Sequence, residues 1–111
     1  VEVRALKQLL ETLGLPVAIT SFFKKTKPPA IVILPTGTEG DGSDFATELY
    51  RCSYQVELYT NEKDFALEEK LEQLLCEHGI HFEKYETYID EEAIYQCAYD
   101  FSMLFRKRGQ A

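Results

Sequence analysis

Val3, Leu6, Leu10 and Leu13 recur at helical spacing, Leu9 widens the apolar stripe, and Arg4, Lys7 and Glu11 fall on the other side. The pattern predicts a first helix from Glu2 to about Leu13, stopped by Gly14 and by Pro16, which cannot continue it. Val17 to Phe23 is rich in β-formers and reads as a strand, followed by a polar turn through Pro29. Ala30 to Leu34 is a continuous apolar run of the length expected for a strand buried on both faces, with Pro35 closing it.

Alternation is clearest from Tyr50 onward. Tyr50, Cys52, Tyr54, Val56 and Leu58 share one strand face, and Arg51, Ser53, Gln55 and Glu57 the other, up to Thr60. Asn61 suits an N-cap with Asp64 three positions on, and Leu67, Leu71, Leu74, Leu75 and His78 line one face of a second helix ended by Gly79. His81 to Ile89 and Ala93 to Phe105 then form a hairpin across the acidic turn Asp90-Glu91-Glu92. The last strand is about twice the usual length, so its end is expected to project beyond the sheet.

The order α-β-β-β-α-β-β predicts a single α+β domain over residues 1–111: a two-layer sandwich with a mostly antiparallel sheet and two helices on one face. The other sheet face is left partly open, with Tyr59, Tyr85 and Ile94 on it, as a surface for a partner. One stretch is irregular. Thr36 to Thr47 holds Gly37, Gly40 and Gly42 beside Glu39, Asp41 and Asp44, with only Phe45 bulky enough to offset the entropy of ordering glycine. It reads as a flexible loop, longer than a hairpin requires.

Composition narrows the function classes. The 111 residues are 45% hydrophobic and carry a net charge of -7. Between Asn61 and Glu92 stand eleven acidic side chains against three basic ones, a balance that disfavours a nucleic-acid grip. The basic runs Lys24-Lys25-Thr26-Lys27 and Arg106-Lys107-Arg108 read as solvated strand ends. Cys52, Cys76 and Cys97 lie on separate elements without a C-x-x-C, as in a reduced chain with buried thiols. No apolar run approaches membrane-spanning length and no signal-peptide organisation is present, so a soluble cytoplasmic protein is expected.

Candidate chemistry is sparse. Gly37 and Gly42 have P-loop spacing, but Ser43-Asp44 stands where Lys-Ser/Thr is needed, and three carboxylates nearby repel phosphate. Glu39, Asp41 and Asp44 depart from the calcium-loop pattern. Cys76, His78 and His81 span a helix end and a strand start, with no fourth ligand at zinc spacing. Glu68-Glu69 and Asp90-Glu91-Glu92 read as solvated surface acids. The residues therefore predict no catalytic, cofactor or metal site, and no enzyme.

Several segments together carry a resemblance: Leu13-Gly14-Leu15-Pro16-Val17-Ala18 after the first helix, Pro28 to Pro35, Tyr54 to Thr60, the charged helix from Leu67 to Glu72, Tyr85 to Ile89, and Tyr95 to Phe101. Across nearly its whole length the chain resembles the tail-terminator (tail-completion) proteins of long-tailed phages and Gram-positive prophages. The resemblance implies a non-enzymatic virion part without cofactor. It would form a ring, often hexameric, at the head-proximal end of the tail tube, assembling in the bacterial cytoplasm and residing in the virion tail. Its partners would be further copies of itself, tail-tube proteins and neck proteins, with no specific nucleic-acid or membrane contact, and an acidic lumen would let DNA pass. Gly37, Glu39, Asp41 and Asp44 are the candidate contacts toward a neighbour or the tube, and Arg106, Lys107 and Arg108 toward an acidic face of the next subunit. The alternatives are another phage neck or head-closure protein, or a cytoplasmic small-ligand-binding module with a pocket lined by tyrosines and His81.

Overall fold

A computed structural model describes residues 2–21, 26–40 and 48–107. Helix α1 (Glu2–Glu11) is followed by β1 (Val17–Ile19), β2 (Ala30–Gly40), β3 (Glu48–Thr60), α2 (Phe65–Glu77), β4 (Glu83–Ile89) and β5 (Ile94–Lys107). The strands form one sheet in the order β1-β2-β3-β5-β4. Only β1 against β2 is parallel; β2–β3, β3–β5 and β5–β4 are antiparallel. The chain is an α+β fold with the element order that the pattern predicts.

Register explains the core. Ile31, Leu58, Cys97 and Glu86 form one row across four strands, and Ile33, Val56, Tyr99 and Lys84 form the next. Leu6 and Leu10 of α1 and Leu71 and Leu75 of α2 close over these rows, placing both helices on the same side. Ile31, Ile33, Val56, Leu10, Leu71, Leu75 and Tyr99 are fully buried. Each aliphatic side chain so buried contributes roughly 1.5–3 kcal/mol before entropy is counted. Gly14 (φ 82°) and Gly79 (φ 70°) stop the two helices in the left-handed region, where a Cβ is strained.

Several boundaries differ from expectation, each for a physical reason. β1 stops at Ile19, within the span expected to run to Phe23, whose last two residues lie outside the described ones: Thr20 takes φ 72°, and Ser21 N–H turns back to Ile19 O at 2.8 Å. β2 does not close at Pro35. The register slips between Pro35 and Gly37, and pairing resumes from Gly37 opposite Ser53 to Gly40 opposite Tyr50. A proline is tolerated there because β1 has already ended, so no neighbour needs its N–H. The expected loop over 36–47 is therefore strand as far as Gly40, and its remainder, 41–47, lies outside the described residues. The run from Ala30 to Leu34 is not buried on both faces, since Val32 and Leu34 are half-buried on the side away from the helices. Finally, α2 is capped by Asp64, whose Oδ1 accepts the Leu67 N–H at 3.0 Å, and not by Asn61.

β1 pairs only as far as Ile33, and β4 only as far as Asp100. Beyond those points β2, β3 and β5 continue as a three-stranded arm with rungs Thr38–Cys52–Met103, Glu39–Arg51–Leu104 and Gly40–Tyr50–Phe105. β3 and β5 stay paired out to Glu48 and Lys107. The arm draws the molecule out to 50 Å in length against 28 and 23 Å across.

Candidate functional site

Two places in the fold gather polar or unusual chemistry: a charged cluster under α2, and the arm. The cluster begins with Glu68, which follows Leu67 and precedes Leu71 and Leu75 by three and seven positions, on the stripe that faces the sheet. It is 2% exposed, so it is not the solvated surface acid expected. Lys63, in the turn before α2, and Lys84, on β4, converge on its carboxylate. Lys63 Nζ lies 2.9 Å from Glu68 Oε1, and Lys84 Nζ 2.9 Å from the same atom. Lys63 also bonds Glu86, and Lys84 reaches Glu72 Oε2 at 2.7 Å. Tyr99 Oη donates to that same Glu72 oxygen at 2.8 Å.

Charge states follow from this packing. Burial pushes the Glu68 carboxyl upward, but the hydrogen bonds from Lys84 and Lys63 outweigh it and hold the group below its ordinary value. Burial pulls Lys84 and Lys63 down, and their carboxylate partners more than reverse this, so both are raised above their ordinary value. Burial, reinforced by the Glu68 charge, pushes the Cys97 thiol up to about 11. Burial and the bond to Glu72 push the Tyr99 phenol up. Each of these five shifts is directed away from neutral pH. Acid–base and nucleophilic work calls for the opposite tuning, and a thiol held protonated is a poor nucleophile. The cluster is a clamp between α2 and the outer strands.

Glu68, Glu86 and Cys97 bring their ligand atoms within 4.8 Å of one another, the metal-like grouping among the described residues. A cation already occupies it: Lys63 Nζ bonds both carboxylates and lies 4.0 Å from Cys97 Sγ. Soft thiolate ligation would also need a thiol whose proton leaves easily, and Cys97 holds its proton up to about 11. Cys76, His78 and His81 do not come together in such a grouping. Cys76 is exposed, contrary to the expectation of a buried thiol, and His78 Nδ1 faces Leu74 O at 3.0 Å.

The arm holds the residues that the sequence nominates for contact. Gly37 and Glu39 lie on β2 within it, and Glu39 approaches Arg51 at 3.9 Å, both side chains exposed. Arg106 and Lys107 end β5, in register with Leu49 and Glu48. Asp41, Asp44 and Arg108 lie outside the described residues. Two candidate groups far apart in the sequence thus lie at one end of the sheet, separated by β3. Sequence reading missed Leu104, the exposed aliphatic residue of the arm; its signal was a leucine on the polar side of an alternating strand.

The open sheet face is polar toward the base of the arm. Gln55 Nε2 donates to Asp100 Oδ1 at 2.9 Å, and the Ser53 and Ser102 hydroxyls meet at 2.9 Å. With Thr36 and Glu83 they line a groove of about 290 Å³. Tyr59 and Tyr85 lie farther down this face as expected, Tyr85 half-exposed and Tyr59 bonded to Glu57 at 2.7 Å. No model of a known protein family matches the chain, and no curated protein matches it either.

Proposed function

We propose that the chain is a non-enzymatic structural subunit of a long-tailed phage or prophage, acting as a tail terminator. The observation that carries the reading is the three-stranded arm, which projects past β1 and β4 with both outer strands unpaired among the described residues. Exposed strand edges bind other chains through main-chain hydrogen bonds. Gly37 and Glu39 on one outer strand and Arg106 and Lys107 on the other give that end two different surfaces, one for the tail tube and one for a neighbouring copy. The acidic turn after β4 lies at the opposite end of β5 from Arg106 and Lys107. In this reading the ring stops tube growth at the head-proximal end, with tail-tube and neck proteins as partners.

The test is assembly on tubes. Tail-tube protein from the same phage module should polymerise to limited lengths when the chain is added, with the chain at one end of each tube by electron microscopy. Tubes that grow without limit and carry no added density overturn the reading.

A further inference from the structure

Among the described residues four strand edges border the sheet, and three are protected. β1 is three residues long. β4 carries Glu83, Lys84 and Glu86 along its outer edge. β2 carries Pro35, which has no N–H to donate, and a register shift beside it. Short strands, charges, prolines and bulges are the devices by which proteins keep sheet edges from pairing. The outer edge of β5 from Phe101 to Phe105 has none of them. Phe101-Ser102-Met103-Leu104-Phe105 contains no charge, proline or glycine, and its register with β3 is unbroken out to Lys107. Leu104, on the open face of that edge, is 62% exposed.

We infer that the outer edge of β5 from Phe101 to Lys107 pairs antiparallel with the same edge of a second copy of this chain, about a two-fold axis normal to the sheet at Leu104. Sheet geometry selects this arrangement. β4 occupies the space beside β5 as far as Glu83, opposite Asp100. A neighbour in the same orientation would present its β2 to β5, and the base of that β2 would fall on β4. A half-turn about an axis normal to the sheet removes the collision. The incoming β5 then lies end to end with β4, filling the space that β4 leaves vacant, and the helices of both copies stay on one side.

The sequence of the edge suits this register. Leu104 stands opposite the partner's Leu104, covering its exposed side chain. Ser102 stands opposite the partner's Arg106, Met103 opposite the partner's Phe105, and Phe101 opposite the partner's Lys107. No position sets like charge against like, and apolar positions meet apolar positions at the centre. The contact is read from edge geometry alone and stands apart from the tail reading: a chain that fails to cap tubes can still pair this way.

Because position 104 opposes itself, a charge swap tests the axis. The wild-type chain should sediment as a dimer in a concentration series. Leu104→Glu and Leu104→Lys should each weaken association by about tenfold or more, through loss of apolar contact and like-charge opposition. Circular dichroism should remain that of the wild type, since the side chain is exposed. Mixing the two variants should restore a one-to-one heterodimer. A monomeric wild type, any multimer insensitive to both substitutions, or two weakened variants that ignore each other on mixing would overturn the inference.

Discussion

Glu68 and Lys84 meet at 2.9 Å across the seam between α2 and β4, with Lys63 bonding the same carboxylate. A buried carboxylate holding two ammonium groups is asymmetric in its consequences, because deleting its charge strands both cations at once. Glu68→Gln should destabilise the fold by about 2 kcal/mol, below the full cost of a broken buried pair because water still reaches both lysines. Urea denaturation measures this. A change under half a kcal/mol would mean that the clamp contributes nothing net.

The same cluster sets a pH window. The Glu68 carboxyl is held below its ordinary value, so its contribution is complete above that value and fades as pH falls through the lower folded one. Cys97 is pushed up to about 11 and Tyr59 to about 12, so the folded form keeps protons that the unfolded chain has lost. Stability from those groups is complete below their ordinary values, about 8.5 and 10, and declines as pH rises toward the folded ones. Urea midpoints should therefore be flat between about pH 5 and 8 and fall on both sides. In Cys97→Ala the alkaline fall should begin later, near the tyrosine range.

Thiol chemistry separates the cysteines. Cys76 is exposed on α2, Cys52 is half-buried and Cys97 is buried with a raised thiol. An aromatic disulfide reagent at pH 8 should titrate one thiol quickly, and Cys76→Ser should abolish that phase. Cys97 should react only as the chain unfolds. A fast phase that survives Cys76→Ser would place the reactive thiol elsewhere.

Helix capping gives a local test of the α2 boundary. Asp64→Ala removes the bond to the Leu67 N–H and should cost about 1 kcal/mol. Asn61→Ala, three residues before the cap, should be nearly neutral. Equal costs at the two positions would return the helix start to Asn61.

The alternation of β3 and β5 and the leucine stripes of both helices were legible in the sequence because each depends on one element's own period. What escaped reading depends on a neighbour. Whether Thr36 to Gly40 is loop or strand is decided by the residues from Tyr50 to Ser53 lying alongside, and no property of the glycines announces it. Asn61 and Asp64 are equally good caps by type. The choice falls to Asp64 in a structure where Lys63 sits in the turn and reaches Glu68 and Glu86. Glu68 sat on the apolar stripe in plain view, but its burial is tolerable only with two lysines whose convergence needs the tertiary fold. The candidate contacts Gly37, Glu39, Arg106 and Lys107 were chosen one segment at a time; their common end of the sheet follows from β3 lying between their strands.

The strand order also constrains how the chain is made. β4 precedes β5 in sequence, yet its partner in the sheet is β5, which in turn pairs with β3. A growing chain can lay down β1, β2 and β3, but β4 has no place to dock until β5 has emerged and inserted. Until then the β3 face that carries Val56 and Leu58 lacks the strand beside it. Such late, long-range pairing slows folding and exposes apolar surface during synthesis. For this chain the step that completes the sheet is the arrival of its last described strand, so folding finishes as the β4–β5 hairpin docks on the free edge of β3.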